Sequence, residues 1–164
     1  MASDLQQELK QTRSFRSPEE EAYLSIQRTA AILEHAFESE LKEFGITATQ
    51  YNVLRILRGA HPETLPTLEI AARMLEKTPG ITRLLDRLEA KRLVGRDRGR
   101  DDRRRVHVRI LPDGLALLAR LDAPMLTAAA EGFRELDRAE LAGLSRLLDR
   151  VRAGLRGRRG PPPG

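Results

Sequence analysis

This sequence predicts a mainly α-helical protein with one small β-hairpin, and three observations predict it. Aromatic residues make up only 4% of the 164 and Trp is absent, so a core must be assembled from Leu, Ile, Val and Ala, which suits packed helices better than a β-sandwich. Apolar residues recur three and four apart over long stretches towards both ends, the period of an amphipathic helix. One short segment, Val106-His107-Val108-Arg109-Ile110, alternates apolar with polar residues at a strand's period of two. The length suits one domain, residues 17–155, between a polar arm (1–16) and a basic tail (156–164).

From Met1 to Arg16 the only spaced apolar pair is Leu5 and Leu9, compatible with an arm or a short helix. Ser17-Pro18-Glu19-Glu20 is a helix start: Ser17 can cap, Pro18 suits the first helical position, and Glu20 can complete a capping box. The helix it opens carries Tyr23, Ile26, Ala30, Leu33, Phe37, Leu41 and Phe44 in one stripe and ends at Gly45. Such a stripe can face the chain's own core, but its length exceeds what one small domain usually covers, which makes packing against a second chain plausible. Thr47-Ala48-Thr49-Gln50 repeats the capping-box chemistry and opens a second helix, closed by Gly59 and Pro62.

After a loop from His61 to Pro66, Thr67 is expected to cap a short helix, Leu68 to Leu75, which Lys77-Thr78-Pro79-Gly80 interrupts. The next helix, Pro79 to about Lys91, buries Ile81, Leu84, Leu85 and Leu88 and carries Thr82, Arg83, Asp86 and Arg87 on its opposite face. Leu93-Val94 starts an extended piece, an Arg-rich stretch follows, Val106–Ile110 returns as the second strand, and Pro112-Asp113-Gly114 is expected to end the hairpin. Leu115 to about Glu131 is again helical, with Leu118, Leu121, Met125 and Leu126 inward. Asp137-Arg138-Ala139-Glu140 starts a last helix with the seam Leu141, Leu144, Leu148, Val151 and Leu155. The ending RGRRGPPPG has no apolar side and is expected to be disordered.

Lys and Arg number 29 against 24 Asp and Glu, a formal +5, and the surplus is concentrated. Between Arg92 and Arg105 there are seven Arg and three Asp, the charge density of a phosphate-neutralising projection, although a solvated surface loop is the blander alternative. With no cysteine, disulfides, thiolate metal sites and thiol redox switching are excluded. The three His (His35, His61, His107) lack metal-ligand spacing, and there is no Gly-rich phosphate loop or nucleophile elbow, so no enzyme, metal or cofactor is expected. No apolar run approaches a membrane span and the N-terminus has no signal-peptide core, so a cytoplasmic, nucleoid-associated protein with no membrane partner is expected.

A short helix, a brief turn, and a second helix with small residues at its start form a helix-turn-helix pattern, though two ordinary packed helices satisfy it equally. The basic hairpin that follows tips the balance towards a winged helix-turn-helix. Three segments in order, ITATQYNVLRIL (Ile46–Leu57), GITRLLDRLEAKRLVGR (Gly80–Arg96) and DRRRVHVRILPDG (Asp102–Gly114), resemble the MarR (multiple antibiotic resistance regulator) family of transcription regulators. The resemblance runs from about Glu19 to Leu155. It implies a homodimer with intertwined terminal helices (about 17–44 and 113–155), a DNA-binding lobe (about 46–111), recognition helices in major grooves and wings in minor grooves. Asp102 and Arg104 look like the family's Asp-x-Arg wing signature, a bracing pair. Two departures stand out: Arg92 replaces a common Gly after the recognition helix, which demands a positive φ or a different turn, and Leu111 replaces a common Thr before the last long helices.

The expected partner is double-stranded DNA. Thr78 is expected to cap the recognition helix, with Pro79 and Gly80 keeping its entrance open to phosphate or base edges. Thr82 and Arg83 point outward; Arg83 is the first choice for reading guanine, and Arg87 meets phosphate unless it pairs with Asp86 or Lys91. In the wing, Arg100 and Arg103 suit a narrow minor groove and Arg98 and Arg105 phosphates. Thr47, Thr49 and Gln50 are phosphate candidates, although capping explains Thr47 and Gln50 equally well. The resemblance further implies a small aromatic or phenolic effector, with Tyr23, Arg28, His35, Tyr51 and Arg55 as lining candidates that packing or solvent contacts explain as readily. The leading expectation is a ligand-responsive repressor on a pseudo-palindromic operator. The alternative is a winged-helix dimer serving as a protein-interaction module.

Overall fold

The computed structural model describes residues 4–77, 79–98 and 106–157. In chain order the elements are α1 (Asp4–Glu8), α2 (Pro18–Glu43), α3 (Ala48–Ala60), β1 (Leu65–Pro66), α4 (Thr67–Arg73), α5 (Ile81–Ala90), β2 (Val94–Arg98), β3 (Val106–Ile110), α6 (Pro112–Gly132) and α7 (Arg138–Gly157). The chain divides within α6 into two compact units, one up to Leu126 and one from Thr127. Among the described residues no helix is long and apolar enough to cross a membrane.

Helix starts follow the capping chemistry of the sequence, with informative exceptions. Ser17 caps α2 by accepting the Glu20 N–H at 3.3 Å, but the Glu20 carboxylate turns back to the Arg16 N–H at 2.6 Å rather than to Ser17 itself. At α3 the box is reciprocal: Gln50 N–H donates to Thr47 Oγ1 (3.2 Å) and Thr47 N–H to Gln50 Oε1 (3.1 Å). Asp137 caps α7 through the N–H groups of Ala139 (2.7 Å) and Glu140 (2.9 Å), and its own N–H reaches Glu140 Oε2 at 2.8 Å. Thr67, by contrast, is the first residue of α4 rather than its cap, and its hydroxyl donates to the Val106 carbonyl at 3.2 Å. That bond fastens α4 to the start of β3.

The α2 helix ends at Gly45, whose φ of +70° lets its N–H reach Lys42 O (3.0 Å) while Ile46 N–H reaches Leu41 O (3.3 Å). The same paired closure ends α5, with Arg92 at φ +57° in the glycine's place. Arg92 N–H bonds to Glu89 O (2.8 Å) and Leu93 N–H to Leu88 O (3.0 Å).

The sheet is larger than a hairpin. Its order is β1-β3-β2, all antiparallel, because Leu65 and Pro66, read from sequence as loop, pair with Val108 and His107. Pro66 is tolerated there because β1 is an edge. Pro112-Asp113-Gly114 does not end the hairpin; it forms the first turn of α6. Gly114 has to be glycine, since a Cβ would stand 2.4 Å from the Leu93 carbonyl oxygen and 2.8 Å from Ile110 Cγ1.

One apolar cluster joins these elements: Val53, Leu54 and Leu57 of α3, Ile70 of α4, Leu84, Leu85 and Leu88 of α5, Val94, Val108 and Ile110 of the sheet, and Leu118, Leu121 and Met125 of α6. Each fully buried Leu, Ile or Val contributes about 1.5–3 kcal/mol relative to exposure. Leu126, expected inward, is 71% exposed. The stripe of α2 splits: Leu41 is buried and Phe37 and Phe44 pack on the cluster, whereas Tyr23 and Ile26 are exposed, as is Ile32 outside the stripe. In the second unit, α7 has no buried residue at all, and Leu144, Leu147, Val151 and Leu155 lie exposed. It also continues through Arg156 and Gly157, past the expected start of the tail.

Candidate nucleic-acid interface

The helix that the sequence offers for recognition, α5, is anchored on one face and open on the other. Leu84, Leu85 and Leu88 hold it to the cluster, while Thr82, Arg83, Asp86 and Arg87 are exposed. It begins at Ile81, two residues later than Pro79, because Gly80 takes the cap position in the left-handed region (φ +85°). Among the described residues no side chain caps it, and none of their atoms lies within 4 Å of where a Gly80 Cβ would be. Among the described residues, its first N–H groups therefore have no side-chain partner at the positive end of the helix dipole. Thr78, expected as the cap, lies outside the described residues and two positions before the actual one.

Three charged side chains share the outer face, Arg83, Asp86 and Arg87, and their pairing decides what they can do. Asp86 is taken by Arg96 of β2, whose Nη1 is 2.6 Å from Asp86 Oδ1 and 3.7 Å from Glu89 Oε2, and whose Nη2 donates to the Thr82 carbonyl at 3.0 Å. Neither Asp86 nor Lys91 pairs with Arg87; Lys91 Nζ donates instead to Gly45 O at 2.5 Å. Arg83 and Arg87 have no ion-pair partner among the described residues. Sequence reasoning counted Arg96 only as wing charge. The signal that identifies it was present: at a strand's period of two, residue 96 shares its face with Val94, which is buried.

The hairpin is braced on its other face. Arg109 of β3 pairs with Asp97 of β2, diagonal neighbours in the register that sets Gly95 opposite Arg109. Arg98 ends β2, its backbone opposite Val106. Arg100, Asp102, Arg103, Arg104 and Arg105 lie outside the described residues. At the start of α3, Thr47 is exposed and Thr49 half-buried, but Gln50 is only 4% exposed and its carbonyl oxygen is held in the capping box. Gln50 is thus a capping residue, and the expectation that it reaches a phosphate is corrected on that ground.

The five residues proposed to line an effector pocket are not brought together within the chain. Tyr23 accepts a hydrogen bond from Gln27 (2.7 Å), Arg28 pairs with Glu8 (3.3 Å), His35 is exposed, and Arg55 lies 5.8 Å over the Tyr51 ring. A cavity of about 680 Å³ lies elsewhere, between the end of α2, the start of α3 and the outer side of α5. Lys42, Arg87 and Lys91 give it three cations against Glu38, with Ile46, Ala48 and Ala90 as apolar wall. None of the five lines it.

Comparison with known proteins places this geometry. A model of the MarR family matches residues 46–106, from the start of α3 to the first residue of β3. The crystal structure of a MarR transcription factor from Planctomyces limnophilus is 40% identical, with a TM-score of 0.66 over 83% of this chain and 98% of that one. This chain belongs to the MarR family. E. coli MarR, solved as a mutant with operator DNA, is 25% identical with a TM-score of 0.73, over 91% of this chain and 99% of that one. AbsC, a MarR-family regulator from Streptomyces coelicolor, shares the fold at 23% identity, with a TM-score of 0.76 over 89% and 100% of the two chains. The three-stranded sheet, with β1 as its extra edge, is therefore the wing of a MarR-family transcription regulator.

Proposed function

We propose that this MarR-family chain binds double-stranded DNA as a homodimer, on a pseudo-palindromic operator, and acts as a ligand-responsive repressor. The observation that carries the reading is the outer face of α5: among the described residues its N-terminus has no side-chain cap, Arg83 and Arg87 have no ion-pair partner, and the intervening Asp86 is already neutralised from the wing strand. Arg83 is assigned to a base edge and Arg87 to phosphate, with Thr47 and Thr49 at flanking phosphates. That E. coli MarR was solved with operator DNA supports DNA as the partner. Dimerisation is supported by the exposed apolar residues of α2 (Tyr23, Ile26, Ile32) and of α7 (Leu144, Leu147, Val151, Leu155). The cavity beside Arg87, lined by Lys42, Arg87 and Lys91 together with apolar Ile46, Ala48 and Ala90, suits a small aromatic anion as effector. A related regulator of this fold, from Bordetella bronchiseptica, is regulated in its DNA binding by 6-hydroxynicotinic acid.

The test is selection of duplexes from a random-sequence pool by the wild-type chain, followed by sizing of the complex. Enrichment of a two-fold repeat with half-sites centred about 10 base pairs apart, bound by two chains, is the expected result. Arg83→Ala should then weaken binding by about 1–3 kcal/mol and relax preference at one position per half-site. A chain that enriches no duplex but captures protein partners is an interaction module instead.

A further inference from the structure

We propose that Arg96 is a positioning residue for DNA recognition: by satisfying Asp86 from the wing strand, it keeps Arg83 and Arg87 of α5 free to meet DNA. This rests on the reading that α5 faces DNA. Asp86 lies three residues after Arg83 and one before Arg87, and side chains three apart on a helix are neighbours. An Asp86 without another partner would draw Arg83 into a pair along the helix and present an anion to a polyanion. The Arg96 guanidinium prevents both, with one nitrogen on Asp86 (2.6 Å) and near Glu89 (3.7 Å), the two carboxylates on that side of α5, and another on the Thr82 carbonyl (3.0 Å).

The arrangement is not what stability alone would favour. The Arg96 side chain is only 19% exposed, and its Nε is buried without a hydrogen-bond partner among the described residues. A buried N–H left unpaired is unfavourable, and an apolar residue packed between strand and helix avoids it. What an apolar residue cannot do is neutralise Asp86. The planar fork also matters, because one compact ammonium cannot serve a carboxylate and a backbone carbonyl in the same way.

The experiment uses the full chain, a duplex enriched from a random-sequence pool by the wild type, and a scrambled duplex of equal length, each titrated across a salt series. Arg96→Gln should lower affinity for the enriched duplex about tenfold, the scale of one lost base contact, and lower the ratio of enriched to scrambled affinity. Asp86→Asn alone should bind at least as tightly as wild type. Asp86→Asn in the Arg96→Gln background should restore binding to within about threefold of wild type, because no carboxylate is left to capture Arg83. If Arg96 only braced the fold, Asp86→Asn would weaken binding as Arg96→Gln does and the double variant would not recover; either result overturns the assignment. Asp86→Asn keeps the test decisive even if Arg96→Gln melts below the assay temperature. Failure of the wild type to enrich any duplex overturns the DNA reading itself, a distinct outcome.

Discussion

Arg92→Gly should make the protein more stable, an unusual direction for a single substitution. Arg92 occupies the residue after the α5 C-cap at φ +57°, where two backbone hydrogen bonds close the helix. In that region the Cβ of an L-residue crowds the following carbonyl at a cost of roughly 1–2 kcal/mol, which glycine avoids. Glycine returns about 0.5–1 kcal/mol of this, because its unfolded chain has more freedom to lose. The side chain is exposed and no ion pair involves it among the described residues, so no contact is forfeited. The difference is a gain of about 0.5–1 kcal/mol, or about 0.3–0.5 M in urea midpoint for a slope near 2 kcal/mol/M.

The assay is urea unfolding followed by circular dichroism at one fixed protein concentration, since any coupling to association makes midpoints concentration-dependent. Arg92→Ala is the control: it removes the charge and keeps the Cβ, so it should stay within about 0.5 kcal/mol of wild type. A glycine variant no more stable than the alanine variant would refute the reasoning, because the two differ chiefly in the left-handed penalty.

Gly114→Ala should cost at least the upper end of the overpacking range, about 3 kcal/mol, because its Cβ meets a backbone carbonyl at 2.4 Å; urea unfolding or the soluble yield will read it. Asp137→Ala removes the acceptor of two N–H groups at the start of α7 and should cost about 1 kcal/mol locally, visible as faster amide exchange at Ala139 and Glu140.

What could be read in advance was whatever a local period or cap determines. The capping boxes at Thr47 and Asp137 and the inward face of α5 follow from residues three or four apart, and the positive φ at Arg92 was one of two possibilities the resemblance raised; all are in the structure. The errors arose where a distant partner decides. Leu65-Pro66 reads as loop, and becomes a strand only because β3 supplies the other half of the ladder, Val108 and His107, far along the chain. Thr67 has the chemistry of a cap, yet its hydroxyl goes to Val106 across the sheet. Gly114 reads as a turn residue, whereas it is required by the close approach of α6 to Leu93. Arg96 was hidden in a run of like residues, since composition cannot tell a guanidinium directed at solvent from one directed at a carboxylate.

That run also determines how the wing should respond to salt. Arg96 and the adjacent Asp97 are both occupied by partners outside it, Asp86 on α5 and Arg109 on β3. One cation and one anion are withdrawn together, which leaves five Arg against two Asp between residues 98 and 105. Arg100 and Arg103, known here from sequence alone, belong to that surplus. If each neutralises one phosphate, replacing both with Gln removes four contacts per proposed dimer and should flatten the slope of log K against log salt by about 3.6, at 0.9 per contact. Enriched and scrambled duplexes should weaken nearly alike, because phosphate contacts carry little sequence information. Arg109→Gln is the comparison: its charge is already matched by Asp97, so the slope should change by less than about 1. A slope as flat for Arg109→Gln as for the tip variant would mean that binding responds to total charge rather than to the position of unpaired arginines.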